Sequence, residues 1–380
     1  MATAGAQTTQ VLQCDPLSIT FSKDINTNEI SSPSTLSSLV AASLRLKNDL
    51  EPIAFPTETV YGLGALALSN PAVLRIFATK GRPADNPLIV HVSSLSMLRR
   101  ILPPDYIVPQ TYTTLINAFW PGPLTLLFPS SSLIPPAVTA GHETVAVRMP
   151  SHPVARALIA LCDEPLAAPS ANSSGKPSPT RAEHVARDLG GKISIILDGG
   201  PADVGLESTV VDGLAPDGHL RVLRPGGVTV EDIQKLFPAG AKDNGTDTDA
   251  DADAMEIDFA DDAMEAAPTT PGMKYRHYAP SVPVVLLVPL PTASDSNSTP
   301  SLNSLPSASS QRIAILSHTL GSLSTPHITA QRLFDGLLTL DDSGADLILV
   351  ESVEESREGL AIMNRVRKAA GETRWIDLDR

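Results

Sequence analysis

The chain has 380 residues, 42% of them hydrophobic and 4% aromatic, so aliphatic side chains and alanine must fill its core. That length fits two domains better than one. The formal net charge is −14, but residues 242–265 contribute −9 of it, because this tract holds ten acids and one base. The acidity therefore belongs to one segment and does not exclude a nucleotide as ligand.

The two cysteines, Cys14 and Cys162, lie far apart in the sequence and exclude both a disulfide framework and a thiolate zinc site. No apolar run reaches the ~18 residues that span a bilayer, and the start of the chain does not have the pattern of a secretory signal. These features predict a cytoplasmic protein that does not enter a membrane. The Ser/Thr-rich start is also compatible with mitochondrial targeting, although it has no arginine before Arg45.

The first part of the chain predicts an arm followed by regular structure. Residues 1–34, rich in Ser, Thr and Asn, predict a flexible N-terminal arm. Apolar residues at helical spacing predict a helix over 35–48, and a short strand follows at 52–55. Asn70-Pro71, an N-cap residue followed by proline at the first helical position, begins a helix that ends near Lys80.

Gly62, Gly64 and Ala67 have the spacing of a dinucleotide-binding turn after a strand. That turn requires a helix that opens at the glycines and an acid about twenty residues further on. Here the next helix begins at Asn70, and the region about twenty residues on is cationic. We therefore expect these glycines to form a turn that allows a close backbone approach instead.

The stretch from Lys80 to Val92, K-G-R-P-A-D-N-P-L-I-V-H-V, joins the helix to a buried strand. Its two cations, Lys80 and Arg82, precede two prolines that stiffen the loop by fixing φ. One interpretation is a pair of exposed charges that favour the dipole at a helix C-terminus, and the other is part of an anion site. The second is favoured by further cations at strand ends or in Pro/Gly-rich loops, where sites are usually built: Arg148, Lys176, Arg224, Arg276 and His277.

Further along, strands and helices mix without strict alternation, which predicts a mixed α/β sheet in a domain over 35–237. Residues 238–280 form a linker. Its acidic part, 238–270, is too poor in apolar residues to fold, and its end, P-G-M-K-Y-R-H-Y-A-P at 271–280, is basic and aromatic. Residues 281–380 predict a small α/β domain with parallel strands, interrupted by a low-complexity insert at 291–311.

Several motifs of the first domain occur in a fixed order: P-T-E-T-V-Y-G-L-G at 56–64, K-G-R-P-x-x-N-P-L-x-V-H at 80–91, W-P-G-P-L-T at 120–125, V-R-M-P at 147–150, P-S-A-N-x-S-G at 169–175, S-P-T at 178–180 and E-S-T-V-V at 207–211. Together they resemble the YrdC family, and specifically its long form, the L-threonylcarbamoyladenylate synthases. The resemblance is dense over 50–237, resumes at 271–280 and continues through G-L-A-I-M-N-R at 359–365.

The resemblance implies a twisted mixed sheet of the YrdC-like α/β fold with a cationic concave face, followed by a smaller Rossmann-like α/β domain. It implies a nucleotidyltransferase that joins L-threonine, bicarbonate and ATP into threonylcarbamoyl-AMP and releases pyrophosphate. Mg²⁺ would be held mainly by the ATP phosphates. A downstream threonylcarbamoyl transferase would then pass the group to tRNA.

The resemblance also assigns roles to individual residues. Lys80 and Arg82 would act as the catalytic cations, and Arg148 would clamp the carboxylate of threonine. The segment Lys274–Tyr278 would form a lid that excludes water from a labile product. The residues expected to hold ATP are Lys80, Arg82, Asn86, Thr144, Ser170, Asn172, Ser178, Arg224 and His277, and those expected to hold threonine are Thr57, His91, Arg148 and Ser208.

Two alternatives stay open from the sequence. The first is an RNA-binding module whose basic face takes tRNA or double-stranded RNA, although the low aromatic content argues against this as the principal role. The second is a carbamoyl-handling subunit of hydrogenase maturation. That relative usually carries cysteine-rich zinc modules, which two cysteines cannot form.

Overall fold

The structure is a computed structural model that describes residues 8–21, 28–215, 218–238, 257–259, 277–289, 312–316 and 326–376. Its strands are β1 (Gln10–Gln13), β2 (Ile19–Phe21), β3 (Asn28–Ile30), β4 (Ile53–Phe55), β5 (Gly62–Leu66), β6 (Ile89–His91), β7 (Leu124–Pro129), β8 (Thr144–Arg148), β9 (Leu166–Ala167), β10 (Ile195–Asp198), β11 (Thr209–Asp212), β12 (Leu220–Arg224), β13 (Ile257–Phe259), β14 (Val284–Pro289), β15 (Ile313–Leu316), β16 (Leu347–Glu351) and β17 (Glu372–Ile376).

The α-helices are α1 (Pro33–Leu44), α2 (Asn70–Lys80), α3 (Leu95–Ile101), α4 (Gln110–Phe119), α5 (Pro136–Thr139), α6 (Pro153–Cys162), α7 (Ala182–Leu189), α8 (Val230–Gln234), α9 (Pro326–Asp342) and α10 (Glu358–Ala369). Helix α2 begins one residue before the predicted start, because Ser69 and not Asn70 is its N-cap residue. It ends at Lys80 as the sequence predicts, because Gly81 follows it in the left-handed conformation. None of the helices in the described part of the chain is both long and apolar enough to cross a membrane.

The larger sheet is mixed, as the sequence predicts. Its eleven strands follow the order β1-β10-β4-β5-β9-β6-β8-β7-β11-β12-β13. The pairs β6–β8 and β7–β11 are parallel, whereas β4–β5 and β7–β8 are antiparallel. Its inner strands are nearly continuous apolar runs whose residues are buried, as expected of a sheet covered on both faces.

The two glycines of the dinucleotide-like pattern lie inside strand β5 and do not open a helix. A Cβ added at Gly64 would stand 2.5 Å from Cε1 of Phe55, in the neighbouring strand β4. The ring of Phe55 therefore lies against backbone that carries no side chain there. The expected glycine turn is therefore wrong: the glycines lie in a strand, and the group that approaches Gly64 closely is the ring of Phe55.

The second domain has a four-stranded sheet in the order β15-β16-β14-β17, and all of its strand pairs are parallel. This confirms the prediction of a small parallel α/β domain. Its apolar core also includes two residues of the first domain, Val60 and Leu206, together with Tyr278 from the end of the linker. The two domains therefore share one continuous apolar contact beside the loops that follow β4 and precede β11.

Two sequence-based expectations are wrong in part. Within the predicted flexible arm, residues 10–13 form β1, which pairs in parallel with β10 and extends the large sheet, and β2 pairs with β3. Within the acidic tract predicted not to fold, Ile257–Phe259 form β13 beside β12. Strands β1 and β13 are short, and their hydrogen bonds to neighbouring strands of the large sheet supply an order that their own composition does not predict, whereas β2 and β3 pair with each other.

Candidate functional site

The register of the large sheet brings several strand ends together at one edge. Strand β6 ends at His91, which pairs with Arg148 at the end of the parallel strand β8. On the other side, Arg148 pairs with Thr125 of β7. Next to β7 lies β11, directly after Ser208, and β12 places Arg224 opposite Val210 of β11.

A cleft opens at this edge, between the sheet, the loop after β4 and the end of the linker. Its empty volume, including the part open to solvent, is about 540 Å³. It is lined by Thr57, Thr59, Val60, Gly62, Arg82, Ile89, His91, Arg148, Ala168, Pro169, Ser170, Glu207, Ser208, Arg224, His277 and Tyr278.

Arg148 is buried in the cleft wall and is held on three sides. It donates to Glu58 Oε1 at 2.5 Å, to Thr59 Oγ1 at 2.9 Å and to the Gly122 carbonyl at 3.2 Å. The second oxygen of Glu58 accepts from the backbone N–H of Ser151 at 3.1 Å. These bonds fix the guanidinium plane, so Arg148 presents a fixed charge and geometry to the cleft.

Two further arginines face the cleft, and both are buried. Arg82 donates to the carbonyls of Asn86 at 3.3 Å and Pro87 at 3.0 Å, and Arg224 donates to the Ser208 carbonyl at 2.8 Å. Burial lowers the pKa of Arg82 to about 10 and that of Arg224 to about 10. Both remain cationic at neutral pH, so the wall offers concentrated positive charge in a place of low water access.

Lys80 lies behind this wall, 4% exposed. Its ammonium group donates to the Ser170 carbonyl at 2.5 Å and to the Asn172 carbonyl. Burial, and then the charge of Arg82, hold its pKa well below the usual range. Its burial excludes the interpretation of Lys80 as an exposed charge at a helix end, and it fixes the P-S-A-N loop to the end of α2.

His91 sits at the end of β6 with its ring edge-on to Phe55. Its Nδ1 lies 3.1 Å from the Ile89 carbonyl. Burial, and then the charge of Arg148, lower the pKa of His91 to about 3. The imidazole is therefore neutral at physiological pH, and it can act in the cleft as a hydrogen-bonding group and not as a cation.

Glu207 is the carboxylate among the lining residues, and both of its oxygens are engaged. Oε1 accepts from Ser178 Oγ at 2.5 Å, and Oε2 accepts from Arg365 Nε at 3.0 Å. Burial opposes ionisation of Glu207, but the charges of Arg365 and Arg224 outweigh it and lower the pKa. The group is therefore a buried carboxylate ion at neutral pH.

The end of the linker closes one side of the cleft. His277 and Tyr278 line it, with their rings edge to face at 4.9 Å, and Tyr278 packs against Phe334 of the second domain. Burial, and then the charges of Arg82 and Lys80, lower the pKa of His277 to about 4. The other residues of the predicted lid, 274–276, lie outside the described residues.

The structure brings eight of the thirteen predicted site residues into the cleft: Thr57, Arg82, His91, Arg148, Ser170, Ser208, Arg224 and His277. Four others contact these residues or their supports from behind: Lys80, Asn86, Asn172 and Ser178. Thr144 pairs with Pro129 at the far end of β8, four residues and about 13 Å from Arg148 at ~3.3 Å per residue. The binding roles themselves stay predictions.

Sequence reasoning missed four residues that shape the site: Glu58, Thr59, Glu207 and Arg365. Glu58 and Glu207 both belong to motifs quoted from the sequence, P-T-E-T and E-S-T-V-V. An acid in each motif beside an otherwise cationic set is a signal that could have identified them as arginine partners. Nothing in the local sequence around Arg365 indicates that it reaches the first domain.

The cleft suits an anionic ligand and offers few metal ligands. Among the residues that the structure describes, no group of three or more His, Cys, Asp or Glu side chains could hold a metal ion. Glu207 is already engaged by Ser178 and Arg365. This donor set fits a cation that arrives on a ligand's phosphates, with the protein supplying positive charge and hydrogen bonds.

Two protein-family models match the chain. The model of the Sua5, YciO and YrdC proteins, described as telomere recombination, matches residues 47–226. The model described as the C-terminal domain of threonylcarbamoyl-AMP synthase matches residues 228–371. Together they cover most of both structural domains and the linker between them, from residue 47 to residue 371.

Curated relatives and a solved structure agree with these matches. The chain is 44% identical to a threonylcarbamoyl-AMP synthase of Schizosaccharomyces pombe, over 95% of this chain and 97% of that protein. It is 41% identical to one of Bacillus subtilis, over 87% and 93%. The crystal structure of Pyrococcus abyssi Sua5 complexed with L-threonine matches with a TM-score of 0.74 and 39% identity, over 90% of this chain and 96% of that one.

Proposed function

The chain belongs to the long, two-domain form of the Sua5/YrdC family, and from this premise we propose that it is a threonylcarbamoyl-AMP synthase. It would condense L-threonine, bicarbonate and ATP into L-threonylcarbamoyladenylate and pyrophosphate. The observation that carries the proposal is the convergence of three buried arginines, Arg82, Arg148 and Arg224, on one cleft.

The division of the cleft between the two substrates follows from how each arginine is held. On one side of the cleft, Arg148 offers a cation, and the neighbouring Thr57 and Thr59 offer two hydroxyls. His91 adds a neutral imidazole that can form hydrogen bonds. This set suits the carboxylate, amine and hydroxyl of threonine. The P. abyssi relative named above was crystallised with that amino acid, which supports the assignment.

The nucleotide would occupy the side lined by Arg82, Ser170, Arg224 and His277. The Arg82 guanidinium bonds to neutral carbonyls, so a triphosphate would bring the opposite charge to a cation already dehydrated by folding. Lys80, Asn86, Asn172 and Ser178 would support this wall from behind. Mg²⁺, carried on the phosphates, would neutralise part of their charge.

The reaction we propose is nucleotidyl transfer. The amine of threonine and bicarbonate give a carbamate, with loss of water, and a carbamate oxygen then attacks the α-phosphorus. A P–O bond forms to the carbamate while the bond to pyrophosphate breaks. The chain's part is to hold both reactants in line and to stabilise charge on the phosphates, and no protein nucleophile is required.

His277 and Tyr278 would close the cleft over the nucleotide and exclude water from the labile product.

Deleting 271–280 does not test the lid alone, because Tyr278 belongs to the core of the second domain and its loss would also disturb folding. His277→Ala is sharper: it should lower turnover or increase release of AMP without threonylcarbamoyl product, at unchanged stability. Passage of the product to a threonylcarbamoyl transferase and weak RNA binding remain further proposals.

Identification of the leaving group tests the reaction class. Attack at the α-phosphorus releases pyrophosphate, whereas attack at the γ-phosphorus releases orthophosphate. With ATP, threonine and bicarbonate, we expect pyrophosphate and an AMP-linked product in equal amounts. Orthophosphate and ADP as the principal products would overturn the assignment as a nucleotidyltransferase.

A further inference from the structure

Arg365 is the side chain by which the second domain reaches the wall of the cleft. It lies on helix α10 and is 0% exposed. Its Nε donates to Glu207 Oε2 at 3.0 Å, and its Nη1 donates to the Pro225 carbonyl. Its guanidinium carbon is 5.9 Å from the ring centroid of Tyr278.

These contacts fall on residues next to those that face the ligand. Glu207 precedes Ser208 in the chain, and Pro225 follows Arg224. The other oxygen of Glu207 holds the hydroxyl of Ser178. Arg365 itself is not among the residues that line the cleft. Any effect of Arg365 on the reaction must therefore pass through the residues it holds.

We propose that Arg365 is a positioning residue. Docking of the second domain brings Arg365 to Glu207, and this ion pair keeps the guanidinium of Arg224 directed at the nucleotide in the cleft. The proposal rests on the proposed function for the identity of that nucleotide. It makes the second domain a condition for tight ATP binding, although no side chain of α10 lines the cleft.

The reason lies in the competition for Arg224. Glu207 is buried, ionised and close enough to Arg224 for each charge to shift the pKa of the other. With Arg365 in place, the carboxylate has its own arginine, and Arg224 donates to Ser208 and faces the cleft. Without Arg365, the carboxylate would draw the Arg224 guanidinium toward itself, and a triphosphate would have to displace it.

The contact carries more than stability. A buried ion pair gives little net stabilisation, because dehydrating two charges offsets most of their attraction. The apolar contact among Val60, Leu206 and Tyr278 already joins the domains. The Arg365–Glu207 pair adds little to stability, yet its contacts lie next to Ser208 and Arg224, which face the cleft. We therefore explain the pair by the positioning of these residues and not by the association of the two domains.

The test uses the full chain with Arg365→Met, Arg365→Lys, Glu207→Gln and the double variant Arg365→Met/Glu207→Gln. Arg367→Met is the matched control, since Arg367 lies on the same helix and pairs with Glu355 at the surface. ATP binding is measured by calorimetry, and the KM values for ATP and threonine are measured by pyrophosphate release.

We expect Arg365→Met to weaken ATP binding at least tenfold, with the KM for threonine changed less than threefold. Arg365→Lys should recover part of the loss. The double variant should bind ATP better than Arg365→Met, because a neutral amide no longer competes for Arg224. Arg367→Met should stay within twofold of the wild type.

Three results would overturn the proposal. The first is unchanged ATP affinity in folded Arg365→Met, and the second is an equal rise in the KM for ATP and the KM for threonine. The third is a loss of ATP affinity in the double variant equal to the product of the losses in the two single variants. The double variant has no unpaired buried charge, so it keeps the test available if Arg365→Met does not fold: it should then bind ATP as tightly as Glu207→Gln, and weaker binding would overturn the proposal. Calorimetry needs no turnover, so a failure of the proposed reaction would be distinguished from a failure of this inference.

Discussion

The guanidinium of Arg148 and the carboxylate of Glu58 form a buried ion pair in the wall of the cleft, with an N–O distance of 2.5 Å. Their side chains are 4% and 6% exposed. The pair joins the end of β8 to the loop after β4, and Glu58 also accepts from the backbone of Ser151. Arg148 is therefore set in place before any ligand arrives.

Removing one partner of this pair should be costly. Glu58→Gln leaves a buried guanidinium without its counter-charge, and we expect the free energy of unfolding to fall by about 3–5 kcal/mol. Urea denaturation measures it. Asp49→Asn, in the exposed pair with Arg45, is the matched control and should cost no more than about 1 kcal/mol. Equal effects of the two changes would contradict the structural role given to Glu58.

Arg82→Gln should impair ATP use more than folding. Each charge-assisted hydrogen bond to phosphate contributes about 1.5–3 kcal/mol, so loss of one should lower kcat/KM for ATP by about 10- to 200-fold. Initial rates at varied ATP provide the measurement. Arg99→Gln, which alters an exposed arginine bonded to the Tyr106 carbonyl, should stay within twofold. If Arg82→Gln has the kinetics of the wild type, the loop from Lys80 to Val92 has a purely structural role.

Lys80 should matter for both activity and stability. The sequence alone predicts that Lys80→Ala abolishes turnover with little loss of stability, but the structure changes the second half. Lys80→Met leaves the carbonyls of Ser170 and Asn172 without their donor, and we expect a loss of about 1–3 kcal/mol. Thermal and urea unfolding test this against Lys192→Met, an exposed lysine near the same loop. A fully stable, inactive Lys80→Met protein would show direct ligand contact instead.

His91 should make stability depend on pH in the acid range. Its pKa falls from 6.5 in the unfolded chain to about 3 when folded, so below pH 6.5 the unfolded state binds more protons. Stability should therefore be lost as the pH falls from 6.5 toward 3, by up to about 1.4 kcal/mol per pH unit from this group.

The measurement for His91 is the difference in unfolding free energy between the wild type and His91→Gln at pH 4.5, 5.5 and 6.5. Other titrating groups are present in both proteins and largely cancel. The advantage of the wild type should shrink as the pH is lowered. A difference that does not change with pH would show that His91 is not buried in its neutral form.

Much of the architecture could be predicted from the sequence because its elements carry their own signals. Helix α2 begins within one residue of the start that its Asn-Pro signal predicts and ends at Lys80 as expected. Strands β1 and β13 could not be predicted, since each is formed by pairing with an edge strand that is distant in sequence. Local composition contains no information about such a partner.

The sequence predicted which residues belong to the site better than it predicted how their side chains are arranged. The resemblance predicted Arg82, Arg148 and Arg224 as site residues, and all three line the cleft. The motifs do not distinguish a residue that faces the cleft from one that supports it: Lys80 bonds to the P-S-A-N loop and Ser178 to the carboxylate of Glu207, while their predicted contacts with ATP stay predictions. That distinction depends on side-chain direction at sites brought together by long-range contacts. Glu207–Arg365 is such a contact, across 158 positions.

The most direct test of the account is pyrophosphate release from ATP with threonine and bicarbonate omitted in turn. If the cleft joins a carbamate of threonine to the α-phosphorus, release should require both, and label from bicarbonate should appear in an AMP-linked product in equal amount. Release that continues at the full rate without threonine, or without bicarbonate, would contradict the central claim.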